Sequence, residues 1–147
     1  MVSPRRPRER ELRYHLAAAA DLQRLNSDDT RLALRARALI GLVKDGEVVG
    51  QPLALLPSYG DLSDCRKIYF GVDANAPTHR IVYREFPDGS VQVVEVVAVE
   101  ARDEGYVYLL AASRLNVLPA ETRAKLNRVH QAVVQRRGAR PTERRGR

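Results

Sequence analysis

The segment "HRIVYREFPDGSVQVVEVVAVE", residues 79–100, decides the fold. Two runs rich in β-branched residues flank the turn sequence PDG, residues 87–89, and this combination is typical of a β-hairpin. The first run alternates, with Ile81 and Tyr83 on one side and basic residues on the other. The second run, residues 90–99, is the most apolar of the strand-like runs, which indicates an interior strand buried on both faces. The segment therefore predicts two paired strands at the centre of an antiparallel sheet.

Further elements are indicated on both sides of this hairpin. Short strands are expected in "ERELRYH", residues 9–15, and in "RKIYF", residues 66–70. Helical periodicity predicts helices over residues 16–26, 31–44, 103–115 and 120–136. The order predicts an α+β fold: a small antiparallel-dominated sheet of about four strands, with an N-terminal helical hairpin on one face and C-terminal helices.

The length of 147 residues suits one compact domain with tails. The first residues carry two prolines and no periodicity, and the last ones are rich in arginine. We therefore expect a flexible arm (1–8), one domain (9–118), an additional helix (119–136) and a basic disordered tail (137–147).

Composition favours a cytoplasmic protein. No apolar run approaches the roughly 20 residues that a membrane helix needs, and the Arg-rich start does not have a signal-peptide pattern. The single cysteine, Cys65, has no partner for an internal disulfide and is expected to be a small buried residue. The sequence gives no sign of a metal site.

The net charge of +7 comes from the ends of the chain. Residues 14–120 hold 11 basic and 14 acidic residues, so the folded middle is slightly acidic. Basic ends attract polyanions without reading sequence, but they are also common as solvated, disordered tails. Both interpretations stay open.

The strands carry basic residues on the side away from their apolar face. Lys67 and Tyr69 share one side of the first strand, and Arg80 and Arg84 share the matching side of the next. If helices cover only the apolar side, these four side chains project together from an uncovered face. Such a face suits phosphate, which arginine binds through two hydrogen bonds and lysine as a point charge. An ordinary solvated sheet face is the alternative.

Taken in order, these pieces resemble the RelE/ParE superfamily of toxins from bacterial type II toxin–antitoxin modules. The resemblance covers about residues 10–115 and lies in Lys67-Ile68, "HRIVY" (79–83), Asp88-Gly89, the run 91–99, and Arg102 with Val107-Tyr108. It implies a toxin fold, a cognate antitoxin as partner, and either a homodimer or a toxin–antitoxin hetero-oligomer. It implies neither a membrane nor a cofactor.

Toxins similar to RelE cleave mRNA on the ribosome, and the resemblance implies the same metal-independent endoribonuclease activity here. The ribose 2′-hydroxyl would attack the adjacent phosphate. By position, Lys67 would activate that hydroxyl or stabilise charge, and Arg80 would hold the phosphate. Arg102 would stabilise the transition state or assist the leaving oxygen, and Tyr108 would stack on a base.

The sequence departs from the family pattern at several of these positions. Tyr69 stands where RelE has a second lysine, and Ala101 stands where a basic residue is common. Tyr69 and Arg84 are expected to contact RNA. His79 replaces a common aromatic, and its parity places it on the side away from Arg80, which favours a packing role over a role as general base.

Two other functions remain open. A ParE-type toxin would share this fold but act by binding DNA gyrase without cleaving RNA. A toxin-like fold could also serve as an interaction module with no toxicity, and the acidic balance of residues 14–120 favours that interpretation.

Overall fold

The computed structural model describes residues 9–53, 59–73, 75–101 and 105–145, with side chains as far as residue 136. Its strands are β1 (Glu9–Tyr14), β2 (Gln51–Pro52), β3 (Cys65–Phe70), β4 (His79–Asp88) and β5 (Val91–Ala101). Its α-helices are α1 (Leu16–Asp28), α2 (Thr30–Lys44), α3 (Tyr106–Arg114) and α4 (Arg123–Arg145), the last preceded by a 3-10 turn at Ala120–Thr122. The α+β class is confirmed.

The strands form one open sheet in the order β1-β5-β4-β3-β2. β1 lies parallel to β5, and the other neighbours pair antiparallel. The sheet of the described residues has one strand more than the sequence predicts, because β2 lies between residues 44 and 66, where the sequence predicts no helix or strand. A strand of two residues has no alternation to detect. Pro52 is tolerated there because β2 is an edge strand.

β4 and β5 form the predicted hairpin. The last paired residues of the hairpin are Asp88 and Val91, and two residues connect them. Gly89 is the first of these two and has a φ of 60°. A two-residue hairpin turn requires such a backbone at this position, which glycine adopts without strain.

A β-bulge interrupts the pairing of β4 with β5. The register shifts between Val82 and Tyr83, and Val97 is the extra residue on β5. Beyond the bulge, Glu100 lies directly opposite Arg80. Residues opposite each other in an antiparallel pair project to the same face, so the bulge decides which acid faces Arg80.

The predicted helical hairpin is present as α1 and α2. Asp29 caps α2 by accepting a hydrogen bond of 3.0 Å from the Arg31 N–H. Gly46, with a φ of 80°, follows the end of α2 and reverses the chain. One face of both helices packs on the sheet in a cluster of Ala18, Leu22, Leu25, Leu32, Ala33, Ala36, Ile40, Phe70, Ile81, Val96 and Val99.

Helices cover both faces of the sheet, so the expectation of an uncovered face is wrong. α3 packs on the face opposite α1 and α2, where Val82 and Ala98 are buried with Val107 and Ala111. The sequence places α3 correctly, but periodicity does not say which face a helix covers. Because α3 has only nine residues, it covers part of this face, and Tyr69 remains 41% exposed.

α4 packs on α3, not on the sheet. Its apolar stripe of Leu126, Val129 and Val133 lies against Tyr106 and Leu109. The α4 backbone continues to Arg145, whereas the sequence predicts a disordered tail over 137–147. The predicted arm, residues 1–8, lies outside the described residues.

None of the helices in the described part of the chain combines the length and the apolar composition that a bilayer crossing requires.

A buried ion pair hydrogen-bonds the outer edge of β5 beyond the end of β1. β1 pairs with β5 only as far as Val96. Beyond it, the Val99 N–H donates to Asp21 Oδ2 at 3.0 Å, and Arg114 Nη1 donates to the Val97 carbonyl at 2.9 Å. Arg114 and Asp21 also bind each other through hydrogen bonds of 2.6 and 2.9 Å. The pair therefore ties α1 and α3 to β5 from opposite faces.

We expect Arg114→Ala to lower the free energy of unfolding by about 3 kcal/mol, because it leaves a buried carboxylate incompletely paired. Arg31→Ala serves as the matched control, since the contact between Arg31 and Asp29 is at the surface and should leave the unfolding midpoint nearly unchanged. Urea titration followed by circular dichroism measures both variants. Equal midpoints for the two variants would contradict a structural role for the pair.

Candidate functional site

Strand pairing brings three of the predicted side chains together. Tyr69 on β3 lies directly opposite Arg80 on β4, so both project to the α3 face. Lys67 precedes Tyr69 by two residues on β3 and shares that face. The register of β3 with β4 thus places two cations and a phenol side by side.

Tyr108 completes the group from α3. Its ring centre lies 5.4 Å from Arg80 Cζ and 5.9 Å from Lys67 Nζ. The ring centre of Tyr69 lies 4.7 Å from Arg80 Cζ and 5.1 Å from Lys67 Nζ. Each cation is within cation–π distance of both rings. We name these four side chains the cation–tyrosine cluster.

Glycine at the start of α3 allows Tyr108 to reach this place. Gly105 is the N-terminal cap of α3 with a φ of 74°, and its carbonyl accepts hydrogen bonds from the N–H groups of Tyr108 and Leu109. A Cβ at position 105 would collide with the Tyr59 hydroxyl. The tight entry into α3 therefore needs a residue with no side chain.

The two tyrosines have different electrostatic surroundings. Lys67 lowers the pKa of Tyr69 as a hydrogen-bond donor and as a nearby positive charge, and Arg80 adds to this effect. Burial raises the pKa of Tyr108, although the charges of Arg80 and Lys67 act in the opposite direction. Tyr69 is therefore the more acidic and the more accessible phenol.

Two buried polar atoms of the cluster form no hydrogen bond of acceptable geometry within the described residues. They are Arg80 Nε and the Tyr108 hydroxyl. Buried polar atoms are nearly always paired, and both of these atoms can donate to an anionic oxygen. Together with the charges of Lys67 and Arg80, they form an arrangement suited to binding a phosphate.

Two buried carboxylates are linked to this region through Arg24. Its Nη2 atom lies 2.5 Å from Asp21 Oδ1 and 3.3 Å from Oε1 of Glu100, the residue opposite Arg80. The Asp21 carboxylate also binds Arg114. Because two arginines from the helices balance these two acids, the cation–tyrosine cluster keeps an excess of positive charge despite the acidic balance of the folded middle.

Arg84 lies on the same face but outside the cluster. It is four residues from Arg80 on β4, about 13 Å at the usual strand rise. Its Nε atom donates to Glu95 Oε1 at 2.7 Å, and its guanidinium lies 5.0 Å from the centre of the Phe86 ring. The charge of Arg84 is therefore already paired.

Three other residues noted in the sequence have different outcomes. His79 packs on Phe70 with ring centres 5.5 Å apart and forms a 2.7 Å hydrogen bond with the Thr78 hydroxyl, as its parity predicts. Burial raises the pKa of Cys65 to about 11, which keeps the thiol protonated at neutral pH. Arg102 lies outside the described residues, and its role stays a prediction.

Sequence reasoning misses the buried carboxylates behind the cluster. Asp21 shares the buried stripe of α1 with Ala18 and Leu25, and this spacing is a usable signal. An acid in an apolar stripe needs a buried partner. Nothing in the sequence, however, links Asp21 to Arg114, which lies 93 residues away.

The chain is similar in structure to solved bacterial toxins. No protein-family model and no curated protein sequence matches the chain. A YoeB/ParE toxin from Agrobacterium tumefaciens has a TM-score of 0.48 and 25% identity, over 63% of this chain and 99% of that one. The E. coli toxin RelE, solved free as a double arginine-to-alanine mutant, has a TM-score of 0.47 and 23% identity, over 71% of this chain and 95% of that one. The function therefore rests on the residues of the site itself.

We expect Lys67→Met to raise the pKa of Tyr69, because the change removes its hydrogen-bond donor and a neighbouring positive charge. Ultraviolet absorbance of the tyrosinate, followed against pH, measures the shift. Tyr69→Phe assigns the signal, since it removes the phenol that ionises below the ordinary value of about 10. Identical titration curves for the parent and Lys67→Met would show that the two side chains do not interact.

Proposed function

We propose that this protein is the toxin of a type II toxin–antitoxin module and cleaves mRNA at the ribosome. The observation that carries the proposal is the cation–tyrosine cluster, in which Lys67 and Arg80 lie beside two tyrosine rings. These are positions to which the RelE/ParE resemblance assigns nuclease roles. An excess of positive charge with adjacent rings matches the needs of a bound nucleotide.

The proposed reaction is attack of the ribose 2′-hydroxyl oxygen on the adjacent phosphorus. A new bond from the 2′-oxygen to phosphorus forms a 2′,3′-cyclic phosphate, and the bond from phosphorus to the 5′-oxygen breaks. The 2′-proton must leave, and the 5′-oxygen must gain a proton. Negative charge grows on the phosphate oxygens in the transition state, so fixed cations next to those oxygens lower the barrier.

The cluster supplies most of these roles. Arg80 would hold the phosphate oxygens through its guanidinium, with its buried Nε as one donor. Lys67 would favour loss of the 2′-proton by stabilising the oxyanion. The resemblance gives Tyr108 the stacking role, but this residue is only 9% exposed. Tyr69, which is 41% exposed, would therefore stack on a base, and Tyr108 would support the site from α3. Arg102 is proposed to assist the leaving oxygen.

Arg84 is proposed as an outer contact for a neighbouring phosphate. Its pairing with Glu95 would have to be shared with the RNA, so its contribution should be smaller than that of Arg80. The proposed partners are a cognate antitoxin, which silences the protein, and the ribosome that carries the mRNA.

One observation favours a ParE-type gyrase toxin as the second candidate. Tyr69 occupies the place of the second lysine of RelE, so the described cluster has only two cations. A toxin that binds a protein target has no need for a third cation at a phosphate.

We expect induction of the protein alone to arrest growth, stop translation and produce new mRNA 5′ ends within translated regions. Mapping of mRNA 5′ ends on ribosomes is the measurement. Growth arrest with intact mRNA and trapped gyrase–DNA complexes would support the ParE-type function and contradict the nuclease. No arrest at all would favour the interaction module.

We expect Arg80→Ala to reduce mRNA cleavage by roughly 100-fold to 1000-fold, because it removes the main donor to the transition-state charge. Arg37→Ala is the control, because Arg37 is exposed on α2, on the other side of the sheet. This variant should cleave mRNA like the parent. Arg84→Ala should lose less activity than Arg80→Ala. Circular dichroism checks that all three variants fold. Parental cleavage by folded Arg80→Ala would remove Arg80 from the site.

A further inference from the structure

A third ring and a further cation continue the cation–tyrosine cluster beyond Tyr108. The ring of Tyr59 lies 6.0 Å from that of Tyr108, centre to centre, at an interplanar angle of 45°. Lys125 Nζ, on α4, lies 5.9 Å from the centre of the Tyr59 ring. Both residues are partly exposed. Rings and cations thus follow one another from Tyr69 to Lys125.

This order is typical of surfaces that bind single-stranded nucleic acid. Such surfaces combine cations that follow the phosphates with aromatic side chains on which successive bases stack. Stacking on a ring does not depend on base identity, so the pattern needs no sequence-specific donors. Tyr69 and Tyr59 supply accessible rings, and Lys67, Arg80 and Lys125 supply cations, so this region meets both requirements.

The charge of Lys125 is available to a polyanion. It forms no ion pair with any carboxylate in the part of the chain whose side chains the structure describes. Over residues 120–136 the only acid is Glu121, and the cations are Arg123, Lys125, Arg128 and Arg136. This portion of α4 is therefore strongly basic.

We propose that Tyr59 and Lys125 form a second nucleotide subsite, which binds the RNA segment adjacent to the nucleotide held by the cation–tyrosine cluster. A base would lie against Tyr59, and the phosphate next to it would contact the Lys125 ammonium. The subsite rests on the proposed function only in taking single-stranded RNA as the ligand. It also gives α4, which lies outside the family resemblance, a part in substrate binding.

Lys125 is the better residue for a test, because Tyr59 also has a structural role. Tyr59 packs against two apolar clusters, one between α3 and the sheet and one between α3 and α4, so its replacement would disturb the fold. The Lys125 ammonium belongs to neither cluster. Arg123 provides a matched control on the same helix, about 200° around the axis from Lys125.

The test is binding of single-stranded RNA to the full chain, measured against salt concentration. The probes are an RNA dinucleotide and an RNA hexanucleotide with 2′-O-methyl sugars, which do not undergo 2′-hydroxyl attack. Lys125→Met should weaken hexanucleotide binding roughly tenfold at low salt. It should also reduce the slope of log affinity against log salt by about 0.7, the effect of one lost phosphate contact. Dinucleotide binding should stay unchanged.

The outcomes separate the subsite from the proposed function. Equal hexanucleotide affinity for Lys125→Met and the parent, with binding intact, would overturn the subsite alone. Equal losses for Lys125→Met and Arg123→Met would do the same, because they would show only the effect of net charge. Failure of the parent to bind either probe would also overturn the subsite, whereas the proposed nuclease, which acts on the ribosome, is tested separately by the mapping of mRNA 5′ ends.

Discussion

The buried ion pair between Asp21 and Arg114 is the contact on which the position of the site depends. It lies along the outer edge of β5 beyond Val96, the side away from β4, where no other strand of the described residues pairs with β5. There it hydrogen-bonds the Val99 N–H and the Val97 carbonyl. Since Arg114 is at the end of α3, the same pair fixes the helix that carries Tyr108. Buried ion pairs contribute little net stability compared with apolar residues of the same volume. Here the pair sets geometry: it holds α1 and α3 at fixed places on opposite faces of one strand.

The same network explains why two arginines on one strand face have different environments. Arg84 lies opposite Glu95, and their side chains form an ion pair. Arg80 lies opposite Glu100, whose carboxylate is bound by Arg24 from α1. Although Arg80 and Arg84 alternate regularly along β4, only Arg84 forms an ion pair with the acid opposite it, because Arg24 of α1 binds the acid opposite Arg80. Only the outcome at Arg80 leaves a cation beside Lys67 for an external anion.

Much of the fold follows from local pattern. Alternation and the glycine turn predict β4, β5 and the faces of their side chains, and capping by Asp29 and Gly46 predicts the limits of α2. Alternation predicts which face of the sheet a side chain is on, but it does not predict which residues of neighbouring strands lie opposite each other. The pairing of Tyr69 with Arg80 is therefore known only from the structure. The bulge at Val97, the two-residue β2 and the face covered by α3 likewise depend on contacts between distant segments. The four members of the cluster could be chosen from sequence only because a family resemblance supplied Tyr108.

The cluster is the central claim, because every proposed role depends on one phosphate lying between Lys67 and Arg80. The most direct measurement is a crystal structure of the protein with an RNA dinucleotide that a 2′-O-methyl group protects from cleavage. The account predicts phosphate oxygens within hydrogen-bond distance of Lys67 Nζ and the Arg80 guanidinium, with one base stacked on the exposed ring of Tyr69. A dinucleotide bound only at Arg84 or along α4, with no contact to Lys67 or Arg80, would contradict it.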